Sequence, residues 1–195
     1  MIIIFLVSFY VCIILHELGH LLTAKLVKCH VEVFSIGFGK ELFSFKYKKT
    51  KYRFALLPFG GYNKLEHELD YCRSKHALPN LPYTKKLLIL LSGCVINIIT
   101  GLIALYFGLK FNIYGLYLFG WISSSLGIIN LLPIPALDGS YPILFLIEKI
   151  IPKKYALKLI RFLVKWGFIL LNIINIICIP YIIILFMRGG FNVIM

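Results

Sequence analysis

IIIFLVSFYVCIILHELGHLLTAKLV, residues 2–27, is the stretch whose reading decides the fold. Up to Leu15 it holds no charged residue, and Lys25 is its first basic one. About 20 apolar residues in a helix cross the hydrocarbon core of a bilayer, so this stretch is long enough to span. A secretory signal peptide opens with a basic segment and ends at a small-x-small cleavage site. Neither flanks this run: Met1 alone precedes it, and His16-Glu17-Leu18-Gly19-His20 interrupts its second half. The segment reads as a retained span carrying ionisable side chains in its inner part.

The rest of the chain has the same character. Of its 195 residues 60% are hydrophobic, with mean hydropathy +0.89, against roughly 45–50% apolar residues in soluble domains. Further apolar runs predict spans over 86–109, 113–132 and 163–187. One integral-membrane domain over residues 1–195 is expected, an all-α membrane helical bundle of about four transmembrane helices. The formal net charge of +13 would point to nucleic acid in a soluble protein. Here the basic residues flank the spans, as they do in cytoplasmic loops under the positive-inside rule. Twelve of the 21 Lys and Arg lie from Lys28 to Lys86, and six more from Lys149 to Lys165. That distribution places residues 28–85 and 133–158 in the cytoplasm and both termini outside. The expected setting is a bacterial plasma membrane crossed several times, with the lipid bilayer and no nucleic acid as partner. The five cysteines show no paired spacing and imply no disulfide framework.

Apolar and polar residues alternate over 42–47 and 52–57, a period of two that predicts a β-hairpin turning near 48–51 within a region spanning about 31–64. Phe43, Phe45 and Tyr47 share one face; Ser44, Lys46 and Lys48 share the other. The bundle is therefore expected to carry a small, membrane-associated cytoplasmic hairpin. Residues 66–82 read as polar loop. Beyond the third span, Leu132-Pro133-Ile134-Pro135 cannot continue a helix, and a shorter helix is expected over 141–150. Irregular backbone at membrane depth requires burial in protein or a wet cavity.

Residues four apart on a helix share a face, so His16 and His20 can grip one metal ion while Glu17 stands beside it. From the chain's own His and Glu counts, such a match arises by chance in roughly four of a thousand sequences. Location sharpens the signal. A strongly charged side chain at the centre of a membrane helix costs about 2.5–3.5 kcal/mol, less for His. The bland reading, a polar cluster that packs helices together, gives no reason for this triplet. A catalytic zinc site takes three protein ligands and keeps one open position. The two aspartates are Asp70 and Asp138. Asp70 sits among Glu66, His67 and Glu68 in the polar loop and reads as solvated. Asp138 follows the double-proline break and is the better candidate. At 1.5 Å rise, His16 lies about 20 Å from the outer end of a ~39 Å helix. Asp138 falls at the inner end of the third span, a similar depth near the cytoplasmic side.

Taken together, these segments resemble the site-2 protease family of intramembrane zinc metalloproteases, peptidase family M50, in its bacterial regulated intramembrane proteolysis branch. HELGH matches the family's first motif. Asn130-Leu131-Leu132-Pro133-Ile134-Pro135-Ala136-Leu137-Asp138-Gly139 matches N-x-x-P-x-P-x-x-D-G. Ser35-Ile36-Gly37-Phe38-Gly39-Lys40 and Leu57-Pro58-Phe59-Gly60-Gly61-Tyr62 resemble the Gly-rich hairpin region.

The resemblance implies one Zn²⁺ per chain held by His16, His20 and Asp138, with Glu17 as general base. The implied enzyme is an endopeptidase that cleaves transmembrane segments of membrane proteins or signal-peptide remnants. Asn97, Gly60, Gly61 and Asn130 carry over as substrate-binding residues. For Asn97 the match is looser, because Ser92-Gly93-Cys94-Val95-Ile96-Asn97 lacks the proline of the family's G-P-x-x-N, and an interhelical hydrogen bond is the plainer reading. An edge of the hairpin over 42–57 is expected to receive unwound substrate by β-strand addition. Two departures stand out. Only a few residues near Lys110 fill the place of the PDZ module between the second and third core spans of well-known members, so no PDZ module is expected. Ser140 replaces the usual second glycine after D-G. A catalytically inactive membrane-binding homologue and a divalent-metal transporter are the alternatives. A transporter would need a polar path across the whole bilayer, and only the inner half is polar here.

Overall fold

Helices in lipid satisfy their backbone internally and show apolar side chains outward, and this chain is built that way. The computed structural model describes residues 2–65, 76–152, 155–156, 158–170 and 173. The order is α1 (Ile2–Leu26), β1 (Val31–Tyr47), β2 (Thr50–Leu65), a 3-10 turn (Leu78–Asn80), α2 (Tyr83–Lys110), α3 (Tyr114–Asn130), a second 3-10 turn (Asp138–Ser140) and α4 (Tyr141–Ile150). Residues 158–170 are helical again. On the helices Ile3, Leu22, Leu102 and Tyr106 are exposed, while His16, His20, Asn97 and Ser123 are buried. Polar groups thus lie inside and apolar ones outside, the arrangement a bilayer imposes.

Among the described residues, two helices are long and apolar enough to cross a membrane, over Ile3–Leu26 and Tyr83–Lys110. The second starts three residues before the expected 86 because Lys86, which reads as a flanking charge, is buried with its Nζ 4.4 Å from the Phe145 ring centroid. Pro82 occupies the N-cap. The expected third span appears as α3, 17 residues long, about 26 Å at 1.5 Å per residue. Leu131 and Leu132 leave the helix by tight turns onto Ile128 and Ile129, because the residue before a proline avoids the helical region. Of the expected fourth span, residues 163–170 are helical; residues 171, 172 and 174–187 lie outside those described, as do Glu66, His67, Glu68 and Asp70.

Helices α2 and α3 meet along a seam of small residues. Gly101, Ala104 and Gly108 on α2, with Gly120, Ser123 and Gly127 on α3, are buried. A Cβ at Gly108 would stand 2.5 Å from the Tyr117 nitrogen, and one at Gly120 2.6 Å from that of Leu105. Lipid is as apolar as leucine, so such helices associate by close backbone packing, which small side chains permit.

The hairpin forms as the alternation predicts, with Lys48 at φ 54° in the turn, but it doubles on itself. Phe34, Ser35 and Ile36 pair with Asn63, Tyr62 and Gly61, and also with Tyr52, Arg53 and Phe54. Residues 51–54 in turn pair with residues 43–46. Residues 51–54 are therefore internal, and the edges are the segments around 43–47 and 61–64. Gly37, at φ 92°, allows the bend, with its α-carbon held where a side chain would meet the carbonyls of Ala55 and Leu57. The base of the sheet is buried: Val31, Phe34, Ile36 and Leu65 join Leu21, Ala24, Leu78, Ile89, Leu90 and Phe145 in one cluster. The hairpin is thereby anchored to α1, α2 and α4. Its distal rings stack on one face, Phe45 on Tyr52 at 5.0 Å and Phe43 against Phe54 at 6.3 Å.

Candidate metal centre

One turn of α1 presents two imidazoles to the same point. His16 Nε2 lies 2.9 Å from Asp138 Oδ2, His20 Nε2 lies 3.2 Å from that same oxygen, and the two nitrogens are 3.2 Å apart. Among the described residues, His16, His20 and Asp138 are the one group of His, Cys, Asp or Glu whose possible ligand atoms gather this closely, all within 4.8 Å. Neighbouring donors on a tetrahedral zinc with bonds of ~2.0–2.1 Å stand about 3.3 Å apart. The triangle is thus already the size of the ion, and two nitrogens with one carboxylate oxygen suit zinc.

The surroundings fix these groups. His20 turns Nδ1 to the Ile89 carbonyl at 2.8 Å. As a donor to that oxygen, Nδ1 leaves Nε2 with its lone pair toward the ion. His16 Nδ1 faces the Asn97 side chain, with Nδ2 at 3.5 Å, and the Asn97 Oδ1 is buried without a partner. A half-turn of that carboxamide would let Oδ1 accept from His16 Nδ1–H, which bears the proton once Nε2 serves a metal. Ser123 Oγ donates to the Asn97 carbonyl at 2.8 Å, tying α3 to this point of α2.

Room for the imidazoles comes from Gly93. A Cβ there would stand 2.4 Å from His20 Nε2 and 2.9 Å from His16 Cε1. Asp138 is delivered by a tight backbone. Ala136 takes φ 81°, and a Cβ on Gly139 would lie 2.1 Å from the Leu131 carbonyl oxygen. Ser140, in place of the usual glycine, folds its hydroxyl back on the Leu137 carbonyl at 2.7 Å. Gly167, on the helix over 158–170, abuts Pro135, and Tyr83 Oη donates to Pro142 at 3.2 Å. Cys94 Sγ donates to Asp138 Oδ2 at 3.6 Å.

Glu17 lies beside the triad on α1 and against the hairpin. Gly61 leaves space for it, since a Cβ there would meet the Glu17 Cγ at 2.7 Å. Asn63 Nδ2 lies 2.8 Å from both the Glu17 carbonyl oxygen and its Oε2. Gly60 packs under the Phe38 ring instead, and half-buried Asn130 ends α3. Sequence reasoning missed Asn63, Gly93 and Cys94. Gly93 could have been found as the residue one turn before Asn97 on a helix facing His16 and His20. Nothing local marks Asn63, whose neighbours read as an ordinary polar strand end.

An HExxH pair, a carboxylate from a broken helix and a glutamate held by a sheet, all inside an apolar bundle, make up a candidate metal centre. The family model for Peptidase family M50 matches residues 4–116 and 109–174. The chain belongs to that family. It is 37% identical over 100 residues to a provisionally named zinc metalloprotease of Fusobacterium nucleatum, a match covering 51% of this chain and 30% of the relative. It is 38% identical over 107 residues to one from Clostridium perfringens (55% and 32%). A third, from Campylobacter jejuni, is 44% identical over 92 residues (45% and 25%). The chain spans about a third of the length of the curated relatives it matches.

Proposed function

We propose that this chain is a zinc-dependent intramembrane endopeptidase that cleaves transmembrane segments of membrane proteins or signal-peptide remnants, one Zn²⁺ per chain. The observation that carries the reading is the meeting of His16, His20 and Asp138 at ligand spacing with Glu17 alongside. His16, His20 and Asp138 would hold the ion, which when bound supplies an acidified water and polarises the scissile carbonyl. Glu17 accepts the proton of the attacking water and delivers it to the leaving amine. Asn97 braces His16 from behind. Gly60, Gly61 and Asn130 line the path of the substrate.

A transmembrane helix hides its peptide bonds in its own hydrogen bonds, so a substrate must unwind before cleavage. Strand addition to the sheet supplies partners for the freed backbone. We assign that role to the edge run over 61–64, which touches Glu17, rather than to the other edge, around 43–47 within the 42–57 hairpin. The site faces the cytoplasmic side of a multi-pass plasma-membrane protein with both termini outside.

The test is cleavage of a single-span substrate by purified protein in liposomes. Cleavage should require zinc, stop with chelator, and vanish in Glu17→Gln and Asp138→Asn. Cleavage that persists in both variants rejects the assignment. Zinc flux that survives Glu17→Gln, with no cleavage, favours a transporter.

A further inference from the structure

The hairpin does more than stand near the site: one of its side chains holds the glutamate. Asn63 lies on the run of β2 paired with residues 33–36, whose base is buried in the core cluster through Phe34, Ile36 and Leu65. Its amide nitrogen makes two contacts of 2.8 Å, one to the Glu17 carbonyl and one to the Glu17 carboxylate Oε2. Both partners are acceptors, so chemistry fixes the amide's orientation: only the NH₂ end can face them. The other end, Oδ1, is buried with no partner. Gly61, two residues earlier, gives the Glu17 side chain its space.

We infer that Asn63 is a positioning residue for Glu17. It clamps the carboxylate and the helix backbone from the sheet side, so that docking of a substrate strand along residues 61–64 and readiness of the base are mechanically coupled. This rests on the endopeptidase reading. A glutamate side chain has three rotatable bonds, and an untethered one samples orientations that cannot reach the attacking water. A hydrogen bond to a charged acceptor fixes one of them.

The experiment compares wild type with Asn63→Leu and Asn63→Ala, neither of which carries a side-chain donor. Loss of one charge-assisted hydrogen bond predicts a fall in kcat of about ten- to a hundredfold, with KM within twofold and zinc content unchanged. Asn63→Gln, which keeps the donor on a longer arm, should recover part of the loss. A second readout does not depend on turnover: calorimetric binding of a peptide hydroxamate, whose hydroxyl needs the base as acceptor, to the zinc-loaded protein. Its affinity should weaken about tenfold in Asn63→Leu, while the same peptide lacking the hydroxamate binds as before. Wild-type kcat and hydroxamate affinity in both the Leu and Ala variants would overturn the inference. So would a raised KM at unchanged kcat, which would make Asn63 a docking residue only. If wild type itself neither cleaves nor binds the hydroxamate, the endopeptidase reading fails instead.

Discussion

The Nε2 of His16 stands 2.9 Å from the Oδ2 of Asp138, although one belongs to the first helix and the other to the turn that restarts the chain after α3. Two glycines make this meeting possible, and each yields a prediction.

Gly93 is the wall against which both imidazoles rest. In Gly93→Ala the new methyl would occupy the place of His20 Nε2, 2.4 Å away. One of the two rings must rotate off the ion. Disturbing the support of a metal ligand typically costs 10–100-fold in affinity, and that loss should appear in a competitive zinc titration against a chelator. Helicity should be unchanged, since alanine favours helix over glycine.

Gly139 passes so close to Leu131 that a methyl would overlap its carbonyl oxygen at 2.1 Å. Gly139→Ala should therefore move Asp138 and abolish stoichiometric zinc binding. Ser140→Ala is the control. It removes only the local hydrogen bond to Leu137, and should keep zinc while lowering stability by about 1 kcal/mol.

The α2–α3 seam is a stability device. Gly120→Leu forces a side chain against Leu105 and should destabilise the protein by about 1–3 kcal/mol or more, read by reversible unfolding in mixed micelles. Ile103→Ala, on the exposed lipid-facing side of α2, should cost far less.

At the hairpin tip Lys51 and Ser44 hold the exposed Glu41 carboxyl below its ordinary value of 4.5. A carboxylate with a lowered folded-state pKa contributes stability that is present above its unfolded pKa and lost as pH falls through the folded one. Amide protection over residues 43–47 should then hold from neutral pH down to 4.5 and decline only below it. In Glu41→Gln that decline should vanish.

Much of this was legible in the residues. Two histidines four apart inside an apolar run dictate a shared helix face, and alternation around Phe43, Phe45 and Tyr52 dictates a hairpin, because both periods are local. The double proline at Pro133 and Pro135 dictates the break that carries Asp138. What stayed hidden depends on contacts between distant segments. Lys86 reads as a flanking charge but lies buried on Phe145. The glycines of α2 and α3 read as incidental until the two helices are placed side by side. The doubling of the sheet, which makes residues 51–54 internal, follows from a bend at Gly37 whose direction no pattern of two encodes. Asn63 acquires meaning only when the end of β2 is laid against α1.

A zinc ion held by His16, His20 and Asp138 would be seen by X-ray absorption at the zinc edge of the purified protein. One zinc per chain is expected, bound by two imidazole nitrogens and light oxygen ligands, with the metal lost in Asp138→Ala. Full zinc occupancy in that variant would contradict it. A sulfur at ~2.3 Å, which would place Cys94 in the carboxylate's stead, would contradict it as well.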